Sequence, residues 1–264
     1  MTSPLWTGVA SLAAGGCGGL LSGLFGIGGG IVLIPLLALV LGLPQHQAQG
    51  ATLAAMLLPN GLPAVLHMRS RGIRIHWRVV ALLTAGFLPA VWAGAQLAVL
   101  IPATPLRLGF AAFLWFIAAR TLLQKPAAVA PVVAGAPPAP EPGRRWAVAL
   151  AIGATGGLAS GLLGIGGGLI MIPLMVWALS MSQHEAQAAS LALMLAPIGL
   201  PGVIVYARSA GGVPWLVLGG VALGFASGGY AGARVATRVK GPRLRQAFAV
   251  VLAVMATIMA VRAF

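Results

Sequence analysis

Two glycine runs carry the chemistry this sequence can offer. Gly28, Gly29 and Gly30 close the segment GIGGG and lead into an apolar helix near Ile31, and Gly166, Gly167 and Gly168 do the same ahead of Leu169. Unpaired N–H groups at a helix start, with the positive end of the helix dipole behind them, bind anions. Irregular backbone of this kind is tolerated inside a bilayer where it lines a cavity. Thr52 and Ser190 add hydroxyls, and Asn60, a side chain with both donors and acceptors, adds an amide. These residues are the candidate substrate contacts. His46, His184 and Glu185 are the groups able to titrate or couple a proton, and Arg234, near a helix end, is a candidate anion gate. The same glycines also suit a tight hairpin or a close helix crossing, and a lone Ser or Thr often bonds its own helix.

Those residues come in pairs because the chain is one unit written twice. At an offset of 138, GLFGIGGGIVLIP (23–35) falls on GLLGIGGGLIMIP (161–173), His46 on His184, Gln49 on Gln187, Thr52 on Ser190, Pro59 on Pro197 and Pro63 on Pro201. Asn60 falls on Ile198, and Gln96 on Arg234. The ladder Gly15, Gly19, Gly23 and its copy Gly153, Gly157, Gly161 have the small-residue spacing that lets membrane helices approach closely. We assign 1–126 to the first membrane repeat, 127–146 to a Pro/Ala-rich linker and 147–264 to the second repeat.

With 59% apolar residues, 7% charged and a mean hydropathy of +1.00, the chain cannot be a soluble globule or a disordered segment. The expected fold is an all-α polytopic membrane protein. Each half holds about five apolar stretches, in the first at 5–24, 30–43, 48–68, 78–100 and 106–123. A glycine-rich break or hairpin separates the first two, either re-entrant or a pair of full crossings, giving eight or ten spans. The polar segments QHQAQ and SQHEAQ, which hold His46 and His184, read as turns between stretches.

The net charge of +14 comes from 16 Lys and Arg against two acids, Glu141 and Glu185. Those cations cluster between apolar runs, which points to membrane orientation and away from nucleic acid. In the first half they crowd the loop between stretches three and four (Arg69, Arg71, Arg74, Arg78). In the second they crowd the loop between four and five (Arg238, Lys240, Arg243, Arg245). Equivalent loops then face opposite sides, so the repeats are inverted, the linker is cytoplasmic and both termini lie outside. Inverted repeats with interrupted helices point to a secondary transporter with its site at the repeat interface. A single cysteine, Cys17, excludes a disulfide framework and reads as packing, and the first stretch reads as a retained membrane segment. No cofactor, metal site or catalytic constellation is expected: there is no Asp, no paired metal-ligand motif and no nucleotide-binding loop.

The twin GLxGIGGGxxxxP runs, each followed by a short polar turn and an A-[TS]-L helix start at Ala51-Thr52-Leu53 and Ala189-Ser190-Leu191, resemble the TauE/SafE family of sulfite exporters and related permeases. The resemblance covers nearly the whole chain. It implies export or uptake of sulfite, a sulfonate or another small sulfur-containing anion, in a bacterial cytoplasmic (inner) membrane. The alternative is a passive anion channel or a permease for a different small solute. The implied partners are the small anionic substrate, the lipid bilayer, a coupling ion (proton or sodium) and a second copy in a homo-oligomer.

Overall fold

The computed structural model describes residues 3–25, 30–57, 62–70, 72–123, 142–209, 215–236 and 241–262. Among these, twelve helices form and no strand does: α1 (Pro4–Phe25), α2 (Gly30–Val40), α3 (Gln45–Ala55), α4 (Leu62–Ser70), α5 (Trp77–Leu100), α6 (Ala103–Leu123), α7 (Pro142–Leu163), α8 (Gly168–Ala178), α9 (Gln183–Leu193), α10 (Leu200–Ser209), α11 (Trp215–Ala236) and α12 (Gly241–Val261). Each helix of the second half begins 138 residues after its counterpart in the first. Five of the helices are long and apolar enough to cross a membrane, within α1, α5, α6, α7 and α11. Their exposed faces carry large apolar side chains. Trp6, Trp77, Trp146 and Trp215, all exposed, stand near the starts of α1, α5, α7 and α11, as interfacial aromatics do.

Four local features differ from the sequence reading. The third apolar stretch of each half is two helices and not one. In the second half the chain turns over 194–199, where Pro197 has no N–H to continue a helical ladder; the matching residues 58–61 lie outside the described residues. Second, the polar segments are helix starts and not turns. Pro44, at φ −55°, leads into α3, and Ser182 caps α9 through a capping box with Glu185. Thr52 and Ser190 therefore sit late in their helices. Third, α7 begins at Pro142, within the stretch assigned to the linker, because proline suits the first helical position. Cys17, expected in packing, is exposed on α1.

The halves interlock. The first helix of each packs side by side with the fifth of the other, α1 on α11 and α5 on α7. Both pairs run parallel: Gly8 meets Leu216 and Gly19 meets Gly229, while Gly153 meets Leu83 and Gly161 meets Ala95. The glycine ladder makes this possible. A Cβ at Gly157 would stand 2.9 Å from the Phe87 Cα, and one at Gly15 2.8 Å from the Val221 Cα. Gly157→Ala must push two backbones apart, so we expect it to cost about 1–3 kcal/mol, read as a lower melting temperature in detergent. The sixth helices, α6 and α12, pack on each other through Phe110, Leu114, Phe248, Leu252 and Ala256.

The short helices α3 and α9 enter from opposite ends of α5, which at 24 residues is about 36 Å long. His46, in the first turn of α3, places Nε2 3.0 Å from the Ala98 carbonyl at the C-terminal end of α5. Glu185, in the first turn of α9, places Oε1 3.4 Å from Nε2 of His76, which precedes α5. The far ends of α3 and α9 converge, since Met56 and Met194 both lie against Gly166.

Candidate functional site

The site grows from the interruption between α7 and α8. Gly164, Gly166 and Gly167 have φ of +74°, +77° and +70°, the left-handed region that glycine enters without steric cost. The backbone reverses there in the protein interior, with residues 164–167 all buried. An interior helix end must satisfy its last carbonyls. At the end of α7 the Ser160 carbonyl accepts from the Gly164 N–H (2.7 Å), the Gly161 carbonyl from the Tyr206 hydroxyl (2.6 Å) and the Leu162 carbonyl from Gln49 Nε2 (3.0 Å). Tyr206 and Gln49 thus hold the break open from α10 and α3, and both are fully buried.

On the other side of the break, α8 begins at Gly168 with Gly167 as its N-cap. The loop's own carbonyls take two first-turn donors, Gly168 N–H to Gly166 and Ile170 N–H to Gly167. A Cβ at Gly168 would lie 2.9 Å from Ser190 Oγ, so that hydroxyl faces the α8 start. Gly30, the first residue of α2, packs on the same loop: its Cβ would lie 2.6 Å from the Gly164 carbonyl oxygen and 2.8 Å from the Ile165 Cα. The two glycine segments therefore meet at one buried place.

Of the residues singled out by sequence, Gly30, Gly166, Gly167, Gly168 and Ser190 come together here. Thr52 is buried on α3 one turn before Met56, and its hydroxyl donates to the Ala48 carbonyl of its own helix (2.8 Å). Gly28, Gly29 and Asn60 lie outside the described residues. His46 and Glu185 stand at opposite ends of α5, and His184 is exposed. Glu185 accepts from the Ser182 backbone N–H (3.0 Å) and hydroxyl (2.8 Å), the contacts of a helix cap. Arg234 is exposed on the last turn of α11, donates to the Tyr230 hydroxyl and lies 4.4 Å above that ring, outside the buried cluster. Sequence reasoning passed over Gln49, Tyr206 and Met56. The available signal for Gln49 was its place four residues after Gln45, one helical turn on, where the polar segment QHQAQ runs into the apolar stretch.

Two surface cavities open at the ends of the helices that lead inward. One, of about 390 Å³, is lined by Arg69, Arg74, His76 and Trp77, and the other, of about 460 Å³, by Leu43, Pro44, Arg107 and Arg262. Both are lined by basic side chains, Arg69 and Arg74 in the first and Arg107 and Arg262 in the second.

A family model described as sulfite exporter TauE/SafE matches residues 11–259. The chain belongs to the sulfite exporter TauE/SafE family. A probable membrane transporter protein of Xylella fastidiosa (strain 9a5c) is 27% identical over 233 residues, covering 87% of this chain and 85% of that protein. Another of the same description from Xylella fastidiosa (strain Temecula1 / ATCC 700964) is 26% identical over 235 residues, covering 89% and 87%. No solved structure matches the chain. In this TauE/SafE protein, then, the family match takes in both glycine segments and the helices that bring them into contact.

Proposed function

We propose that the protein is a secondary transporter for a small anion, sulfite, a sulfonate or a related sulfur-containing anion, working by alternating access between two inverted repeats. The observation that carries this is the meeting of Gly30 with the Gly164–Gly168 loop in the buried interior, with Ser190 facing the α8 start. The Leu169 N–H and the Ser190 hydroxyl are the donors we assign to the anion, backed by the α8 dipole. Inversion is supported by the entry of the equivalent helices α3 and α9 from opposite ends of α5. In that arrangement α1 and α7 reach across the membrane and the short α2 and α8 lead back toward the side of entry, while α3–α4 and α9–α10 are broken crossings, as in transporters whose discontinuous helices meet at mid-membrane. The linker then faces the cytoplasm and both termini face outward, in a bacterial inner membrane.

Two measurements test this. Purified protein in proteoliposomes should exchange labelled sulfite or sulfonate against unlabelled anion on the far side. Conductance without such exchange would mean a passive channel instead. For topology, with Cys17 replaced, single cysteines near Arg71 and near Arg243 should both resist an impermeant thiol reagent added outside intact cells; labelling of either breaks the inverted arrangement.

A further inference from the structure

The buried amides of Gln45 and Gln49 are not explained by packing or by capping alone. Gln49 is fully buried, and its Nε2 donates to the Leu162 carbonyl. That bond fixes the amide's orientation, because the flipped group would set one carbonyl oxygen against another. Gln49 Oε1 is therefore an acceptor, and among the described residues it has no partner. One helical turn earlier on the same face of α3, Gln45 is also fully buried, and neither Oε1 nor Nε2 has a partner among the described residues. Unpaired amide atoms in the interior weaken a fold, so their presence calls for something that pairs with them. The repeat does not impose the arrangement: the equivalents Gln183 and Gln187 are exposed and half-buried.

The location of these amides says what that something is. The face bearing them continues to Met56 and lies along the glycine loop; Gln49 Cγ stands 3.1 Å from where a Gly164 Cβ would be, and Met56 Sδ 2.9 Å from one at Gly166. A bare cation would need several oxygen ligands, commonly with a carboxylate among them, yet the described residues hold no cluster of acidic side chains, and the neighbouring carbonyls of Ser160, Gly161 and Leu162 each already accept a hydrogen bond. A fixed acceptor on the helix that flanks the glycine loop, with the Leu169 N–H and the α8 dipole beyond it, fits a ligand that is an anion at one end and a hydrogen-bond donor at the other. Resting on the anion-transport reading, we propose that Gln49 and Gln45 read an O–H or N–H on the substrate, so that the carried anion is a protonated or hydroxylated one.

The test uses matched anions in proteoliposomes: 2-hydroxyethanesulfonate and ethanesulfonate, each competing against labelled sulfite. Wild type should prefer the hydroxylated anion roughly tenfold, the scale of one well-made hydrogen bond. Gln45→Met should melt no lower than wild type, because it removes only unpaired atoms, and should lose that preference. Equal competition by the two anions in wild type, an undiminished preference in Gln45→Met, or a Gln45→Met protein that fails to fold would each overturn the proposal. Absence of any sulfite exchange by wild type would instead overturn the transport reading, and this proposal with it.

Discussion

Gly167→Val should leave little folded protein. Valine at φ +70° is a strained backbone that costs about 1–3 kcal/mol. Its Cβ would also stand 2.6 Å from Phe87 Cε2 and 2.9 Å from the Gly156 carbonyl oxygen. Phe87 is fully buried and has nowhere to swing, so overpacking adds roughly 1–3 kcal/mol more. The sum, roughly 2–6 kcal/mol, can equal the whole stability of a protein at the lower end of the usual range of about 5–15 kcal/mol. The readout is a monodisperse peak and a melting transition in detergent, both expected to be lost. Gly72→Val separates the two causes, since Gly72 has φ +75° but nothing within 4 Å of its Cβ position, and should cost only the strain. A Gly167→Val protein as stable as wild type would contradict the left-handed loop.

Gly30→Ala should do the opposite, stopping transport while the protein survives. Gly30 needs no left-handed backbone and begins α2, where alanine is the better helix former. Its new Cβ would press on the Gly164 carbonyl and the Ile165 Cα, backbone atoms that no rotamer change can move. The two glycine segments must separate by a few tenths of an ångström. We expect anion exchange to fall at least 100-fold, about 2.7 kcal/mol of barrier, with a melting temperature lower by several degrees. Gly109→Ala is the comparison: it lies on α6, away from the glycine segments, with nothing within 4 Å of its Cβ position, so exchange should be unchanged. Normal exchange by Gly30→Ala would mean that the place where the segments meet is not the substrate site.

Much of this architecture was legible because glycine and proline punctuate it at fixed positions. The 138-residue offset that aligns GIGGG with GIGGG also aligns the starts of the helices, from Pro4 with Pro142 to Ala103 with Gly241. The turn at 194–199 was harder to see. Pro197 was visible, but the residues around it are apolar, so hydropathy runs through the break. The helical nature of SQHEAQ depends on Ser182 and Glu185 pairing, a local signature that polarity alone conceals. The partners of the α7 terminus could not be foreseen, because Gln49 is 113 positions from Leu162 and Tyr206 is 45 from Gly161. Their bonds arise from packing that no local pattern encodes. Thr52 was legible as a buried hydroxyl, yet its proton goes to its own helix.

The interlocking of the halves bears on how the chain is made. The glycine face of α1 is complementary to α11, and a ribosome delivers α11 only after some two hundred further residues. At about 5–20 residues per second, α1 waits roughly 10–40 s in the membrane before its partner arrives. Throughout that interval its close-packing surface is exposed to lipid and to any other helix with small residues in the same spacing. α5 and α7 are synthesised much closer together and can pair first. Biogenesis should therefore proceed from the α5–α7 pair outward, with the first helix made among the last to dock.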